Sequence, residues 1–330
     1  MIFWPSILPD DVISNTTAMK QNRRNFLQIT GTAASAALLS SLEGFAIQPT
    51  SISQKAKPGY QLKVLATNWG FDGSTDSFCA KAKKEGYDGV ELWWPGTIAE
   101  QQEMYDAVKK HGLELAFLWG AGEGKPAEHI VSFKKTLDDI LSPSRQKPLY
   151  VNLHAGRDFF AFDVNKKMVE YSLAASERSG IPIYHETHRG RMMYAAHVTY
   201  EYIQKYPGLR LTLDISHWCN VHESLLEDQS AAVEAAIQRT SHVHARVGYQ
   251  EGPQVADPRA PEWKYAVDAH IAWWDNVVAQ KRKNGQPITF LTEFGPPLYM
   301  QTLPYTLQPL SNQWDINVHM MHLLRKRYGS

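Results

Sequence analysis

Cysteine is nearly absent: Cys79 and Cys219 are the only two in 330 residues. Two thiols so far apart form neither a disulfide framework nor the paired spacing of a zinc site, so both are expected as buried free thiols. An excess of positive charge is missing too, since 34 Lys and Arg balance 34 Asp and Glu. Without that field the chain cannot collect phosphate backbones or anionic lipid, and a nucleic-acid partner is not expected. The longest apolar stretch, Ile29 to Leu42, is too short to cross a bilayer comfortably. Internal repeats, low-complexity tracts, clustered lysines and a glycine-rich phosphate cradle are lacking as well. The last two absences count against a phosphorylated substrate.

What is present starts with Lys20, Arg23 and Arg24, followed by Phe26-Leu27 and the uncharged, Gly- and Ala-rich run from Ile29 to Leu42. A basic region, an apolar region and a small-residue exit, in that order, make an export signal, and the paired arginines resemble a twin-arginine signal. Because Met19 stands directly before the basic region, residues 1–18 read as an upstream extension and 19–47 as the signal peptide. Residues 48–59 are then a polar linker, and 60–330 form one mature domain. The expected location is the periplasm or the cell exterior, with no membrane association once the signal is removed. A chain exported already folded has no need of disulfides.

From Leu62 onward, short apolar or β-branched runs alternate with longer helical patterns, the signature of βαβ units and a parallel sheet. Eight strands are expected, at 62–69, 89–94, 113–119, 148–155, 181–188, 210–216, 241–246 and 288–294. Helical patterns cover 98–111, 127–141, 164–179, 230–239, 266–283 and 316–327, and Gly86, Gly112, Gly180 and Gly285 each stand where a left-handed helix stop is wanted. A doubly wound open sheet usually carries a glycine-rich turn after its first strand, which Asn68-Trp69-Gly70 is not. The expected fold is therefore a single-domain α/β chain, a (β/α)8 TIM barrel, preceded by the signal peptide.

Barrel chemistry sits at the C-terminal strand ends, and here those ends are rich in polar residues. Strand 2 carries Glu91 and strand 4 ends at His154. Strand 5 ends in His185-Glu186-Thr187-His188, strand 6 in Asp214-Ile215-Ser216-His217, strand 7 in His242-Val243-His244-Ala245-Arg246 and strand 8 in Glu293. Unpaired charge inside a barrel is costly, so such clustering calls for a neutralising partner, most simply a divalent cation. Glu186, Asp214, His244 and Glu293 supply three carboxylates and one imidazole. That hard, oxygen-rich set suits one Mn ion, or Co or Mg, and leaves positions open for a chelating polyol or hydroxy-ketone. His185 and His242, whose direction strand alternation leaves open, stay outside the set. Trp69, Trp93, Trp94, Trp119 and Trp218 also fall at strand ends, where they could stack on a sugar or pack beneath loops.

Gly86-Tyr87-Asp88-Gly89-Val90-Glu91-Leu92, the Asp-x-x-His of Asp214 and His217, the His-x-His of His242 and His244, and Glu293 closing strand 8 resemble the xylose-isomerase-like sugar isomerase/epimerase superfamily. The resemblance spans nearly the whole mature chain, and the ketose 3-epimerase pattern aligns best. It implies that Glu186, Asp214, His244 and Glu293 bind the metal and that Glu186 and Glu293 are the catalytic acid/base pair. It also implies that His217 and Arg246 contact substrate oxygens, although Arg246 follows His244 at a shorter gap than the family pattern. His154, His188, Glu91 and Trp119 complete the expected substrate-binding residues, Glu91 having a place behind a ligand histidine as its alternative role. The implied activity is isomerisation or epimerisation of a carbohydrate by proton abstraction beside a carbonyl, through an enediolate. Three alternatives are elimination from a 3-keto-glycoside, an AP-endonuclease-like zinc nuclease, and an inactive sugar-binding barrel. A small carbohydrate is the expected partner, with self-association into a homo-oligomer. Specificity is assigned to the loops at 248–263 and 295–313.

Overall fold

A computed structural model of the chain describes residues 56–142 and 146–329. The upstream extension, the signal peptide and most of the linker lie outside the described residues. Eight parallel strands pair in chain order and close on themselves: β1 (Leu62–Thr67), β2 (Gly89–Trp93), β3 (Glu114–Trp119), β4 (Val151–Leu153), β5 (Ile183–Glu186), β6 (Leu211–Leu213), β7 (Thr240–His244) and β8 (Ile288–Thr292). β8 returns to β1 in a register running from Leu62↔Ile288 to Ala66↔Thr292. The fold is the (β/α)8 barrel.

Around the barrel lie helices α1 (Thr75–Glu85), α2 (Ile98–His111), α3 (Pro126–Ile140), α4 (Phe162–Ser179), α5 (Ala196–Lys205), α6 (Ile215–Val221), α7 (Ser230–Arg239), α8 (Lys264–Asn284) and α9 (Gln313–Tyr328). Their ends follow local chemistry. At α2, Thr97 and Glu100 form a reciprocal capping box, and Gly112 closes the helix in the left-handed conformation that a side chain disfavours. Two helices, α5 and α6, were not foreseen, and of α1 only its stop at Gly86 was expected. The apolar face of α1 is only Phe78, Cys79 and Ala82 within a lysine-rich stretch, too sparse to read as periodicity. α6 occupies residues expected to end strand 6: β6 stops at Leu213, and Asp214 caps α6 by accepting the Ser216 N–H at 3.2 Å. α5 starts without a side-chain cap, so nothing in the sequence announces it. Cys79 and Cys219 are buried free thiols.

Strand alternation divides the side chains between two environments. Outward-facing residues pack under the helices, where Phe133 of α3 is fully buried against Trp119 and Tyr171. Inward-facing residues fill the barrel in levels. Leu65, Ala116, Tyr150 and Leu291 form an apolar floor. The Tyr150 hydroxyl tops that floor by donating to Glu91 Oε2 at 2.8 Å and lying 3.0 Å from His242 Nε2. Glu91, Asn152, Glu186, His242 and His244 are all buried above it, so the polar interior begins on a hydrophobic plug.

Truncating Phe133 removes the centre of the β3–α3–α4 packing. Phe133→Ala is expected to cost roughly 3–5 kcal/mol in urea unfolding; a loss below about 1 kcal/mol would mean that the outer layer can collapse around the gap.

Candidate metal centre and active site

Glu186 ends β5, Asp214 follows β6, His244 ends β7 and Glu293 follows β8. One ligand atom from each lies within 4.8 Å of the others. His244 Nδ1 sits 2.8 Å from Glu293 Oε2 and 3.6 Å from Glu186 Oε1. None of these three buried atoms makes a well-aligned hydrogen bond, although His244 Nδ1 and Glu293 Oε2 stand at ion-pair distance. Buried polar atoms are rarely left in that condition, because each forfeits its hydration. Three of them converging on one point fit a cation held between them. Asp214 differs: Ser216 occupies its Oδ1 and Arg246 Nη2 pairs with its Oδ2. A carboxylate has about four lone-pair sites, so Asp214 can still ligate.

Supports hold three of the four candidate ligands from behind. His244 turns its other nitrogen, Nε2, to Glu91 Oε1 at 3.1 Å. A carboxylate there fixes the ring and makes it a better ligand. Asn152 Nδ2 and His154 Nε2 both sit 2.8 Å from Glu186 Oε2, leaving Oε1 aimed at the centre. Thr187 Oγ1 accepts the Asp214 N–H and donates to the Asp214 carbonyl, both at 2.9 Å, which ties the ends of β5 and β6 together.

Electrostatics follow from crowding. Burial alone would lift the Glu186 carboxyl, but the His154 and His244 imidazoles outweigh it and hold the group well below the usual carboxylate range. Burial also works against the charge of Glu91, yet His244 and His242 bring its carboxyl down to about 2. Asp214 is pushed up to about 6 by burial, against the pull of Arg246 and with help from Glu293 and Glu186. Burial would lower His244, but Glu293, Glu186 and Glu91 raise it well above the ordinary imidazole value. His188 and His217 go the other way: burial comes first, then the neighbouring histidine, His154 for His188 and His188 for His217.

A cleft of about 270 Å³ opens above the centre, lined by Thr67, Trp69, Trp93, Leu118, His154, His188, Arg191, Arg246, Glu293 and Tyr299. Of the expected substrate contacts, His154, His188 and Arg246 line it. Arg246 is also buried in an ion pair with Asp214, lies 3.5 Å from Glu293 Oε2 and is 2.8 Å from His217 Nε2. His217 lies behind Arg246 on α6, its ring 3.9 Å from that of His188. Glu91 does not reach the cleft. It is held below by Tyr150, His242 and His244, which makes it a support for the ligand histidine. Trp119 is not brought to the cleft either, since its position in β3 turns outward against Phe133. Trp94 packs on Phe117 and Trp218 donates to the Met193 carbonyl; only Trp69 and Trp93 of the five tryptophans face the cleft. His185 points outward to Ser172 Oγ at 2.7 Å, and His242 points inward to the floor. Asn152, Arg191 and Tyr299 were not anticipated. Asn152 shares the inward parity of His154 and was legible on that ground, whereas Arg191 and Tyr299 sit on irregular loops.

No protein-family model matches the chain, and no curated protein matches it. Solved structures do share its architecture. The probable 3-DHS dehydratase AsbF, involved in petrobactin synthesis in Bacillus anthracis, superposes with a TM-score of 0.50 at 15% identity, covering 81% of this chain and 100% of that one. A family 2 AP endonuclease from Brucella melitensis gives a TM-score of 0.47 at 13% identity over 71% of this chain and 93% of that one. At such identities the likeness is one of fold.

A metal ion bound here must displace the His244 proton at neutral pH, and below about pH 6 that of Asp214 as well. Mn²⁺ affinity, measured calorimetrically in buffers of differing ionisation enthalpy, is therefore expected to fall, with proton release on binding, as the pH is lowered from 8 to 6 and more steeply below. Affinity unchanged across that range would contradict the proposed protonation of His244.

Proposed function

We propose that this chain is a divalent-metal-dependent carbohydrate enzyme of the xylose-isomerase-like type, an isomerase or epimerase that moves a proton beside a carbonyl. The observation that carries this reading is the meeting of Glu186 Oε1, His244 Nδ1 and Glu293 Oε2, three buried atoms without well-aligned hydrogen bonds, next to Asp214 at the barrel mouth. The oxygen-rich donor set favours Mn, Co or Mg. A bound ion of this class supplies Lewis-acid polarisation of the substrate carbonyl.

The protein residues do the rest. Glu293 lines the cleft and takes the proton from the carbon next to the carbonyl. For isomerisation Glu293 hands that same proton to the neighbouring carbon; for epimerisation Glu186, oriented by Asn152 and His154, delivers a proton from the opposite face and must first be protonated from solvent. His154 and His188 meet substrate hydroxyls as neighbouring rings 4.4 Å apart. Trp93, with 44% of its surface exposed, offers an aromatic wall beside His154. Export by the twin-arginine route and action outside the cytoplasm belong to the same proposal and rest on the pattern of residues 19–47.

Elimination from a keto-glycoside is the second reading. It begins with the same proton removal and differs only in expelling a β-substituent. What favours it is that a barrel of this fold is named a dehydratase, an elimination reaction by name.

The test follows free ketoses and 3-keto-glycosides by proton NMR in deuterated water with the Mn²⁺-loaded protein. Deuterium entering beside the carbonyl of an isomerised sugar is expected, with a loss of at least 10²-fold in Glu186→Gln and Glu293→Gln. Release of an aglycone with an unsaturated sugar would establish elimination instead, and exchange undiminished in both variants would remove these carboxylates from the chemistry.

A further inference from the structure

The centre just described is rich in carboxylates, but one wall of its cleft is cationic without an acidic partner. Arg191 lines the cleft alongside His154, His188 and Glu293. Its Nη1 donates to the Ala121 carbonyl at 3.1 Å, while its Nε and Nη2 have no hydrogen bond, and it forms no salt bridge, among the described residues. Arg157 stands close enough to press on the charge of Arg191, which burial depresses first. The Nε of Arg157 is itself buried with no partner. Acidic groups in range of Arg191 are Glu186, already engaged by Asn152 and His154, and Asp158, an exposed residue. A partly buried guanidinium without an acidic partner of its own is held at a cost unless an anion joins it.

Arg191 is also aimed by a fixed loop. Gly190 takes the left-handed conformation, with φ 74°, and the Arg191 N–H closes the turn onto the His188 carbonyl at 3.1 Å. Met192 N–H then bonds to the Ala155 carbonyl at 3.1 Å and Trp218 Nε1 holds the Met193 carbonyl at 3.0 Å. Met192 and Met193 are buried. A guanidinium held on such a loop, with its Nε–Nη2 edge free, matches the planar fork of a carboxylate.

We propose that the substrate is a sugar acid, whose carboxylate is received by Arg191 while its carbonyl end reaches Glu186, Asp214, His244 and Glu293. The inference rests on the carbohydrate reading above and narrows it. A phosphate ester also pairs bidentately with arginine, but no lysine lines the cleft to share its second charge. The cleft of about 270 Å³ lies just below the usual range for small-molecule sites, which suits a single sugar unit.

Calorimetric titration of the full chain, with and without Mn²⁺, compares D-glucuronate, D-glucose and D-glucose 6-phosphate. Mn²⁺ binding is read first, so that failure of the metal centre is seen separately from failure of this inference. The expected result is glucuronate binding at least tenfold tighter than glucose, a preference lost in Arg191→Gln and partly kept in Arg191→Lys. The wild-type preference alone tests the idea should a variant fold poorly. Equal affinity for acid and neutral sugar in an Mn²⁺-binding protein would overturn it, as would absence of glucuronate binding. Tighter binding of the 6-phosphate than of glucuronate would overturn the carboxylate assignment.

Discussion

The fold concentrates more negative charge at the barrel mouth than the protein itself neutralises. Glu91, Glu186, Asp214 and Glu293 are all buried, and among the described residues Arg246 is the only arginine buried with them. Desolvated carboxylates at this density are tolerable only with cations between them. Protonation of His244 supplies part of the compensation and the Arg246–Asp214 pair another part. The remainder falls on the point where Glu186 Oε1, His244 Nδ1 and Glu293 Oε2 meet. Glu91 behind His244, Asn152 and His154 behind Glu186, and Thr187 between β5 and β6 all keep those atoms converging.

The barrel lends this arrangement its precision. Successive inward positions on one strand rise from floor to cleft, as Tyr150, Asn152 and His154 do at β4 and its flanks. The first meets the apolar plug, the second supports a ligand and the third touches the cleft. Chemistry is therefore carried on rigid elements, while recognition falls to the loops: Arg191 after β5 and Tyr299 after β8. Tyr299 packs against Trp69 at 4.8 Å and lies with its ring 4.8 Å from the Arg246 guanidinium, forming part of the cleft wall.

Much of this was legible in the sequence because inward parity and strand order are written residue by residue. Eight apolar runs gave eight strands, and the polar residues closing them gave the group Glu186, Asp214, His244 and Glu293. What stayed hidden depended on three-dimensional context. Trp119 and Glu91 both close or occupy strands, yet Trp119 falls on the outward parity and Glu91 lies one level too deep to meet a substrate. α6 was obscured because Asp214-Ile215-Ser216-His217 continues an apolar run, and only the capping of Ser216 by Asp214 turns the chain into a helix. Arg191 gave no signal, since a basic residue in a Gly-containing loop usually faces solvent; its direction is set by the buried methionines that follow it.

The central claim is that one divalent ion belongs among these four side chains. Crystals of the Mn²⁺-loaded protein, with anomalous differences collected at the manganese edge, test it directly. The account predicts a single strong peak about 2.0–2.3 Å from Glu186 Oε1, His244 Nδ1, Glu293 Oε2 and an Asp214 oxygen. A peak lodged instead among Glu91, His242 and His244, or no peak in this region at all, would contradict it.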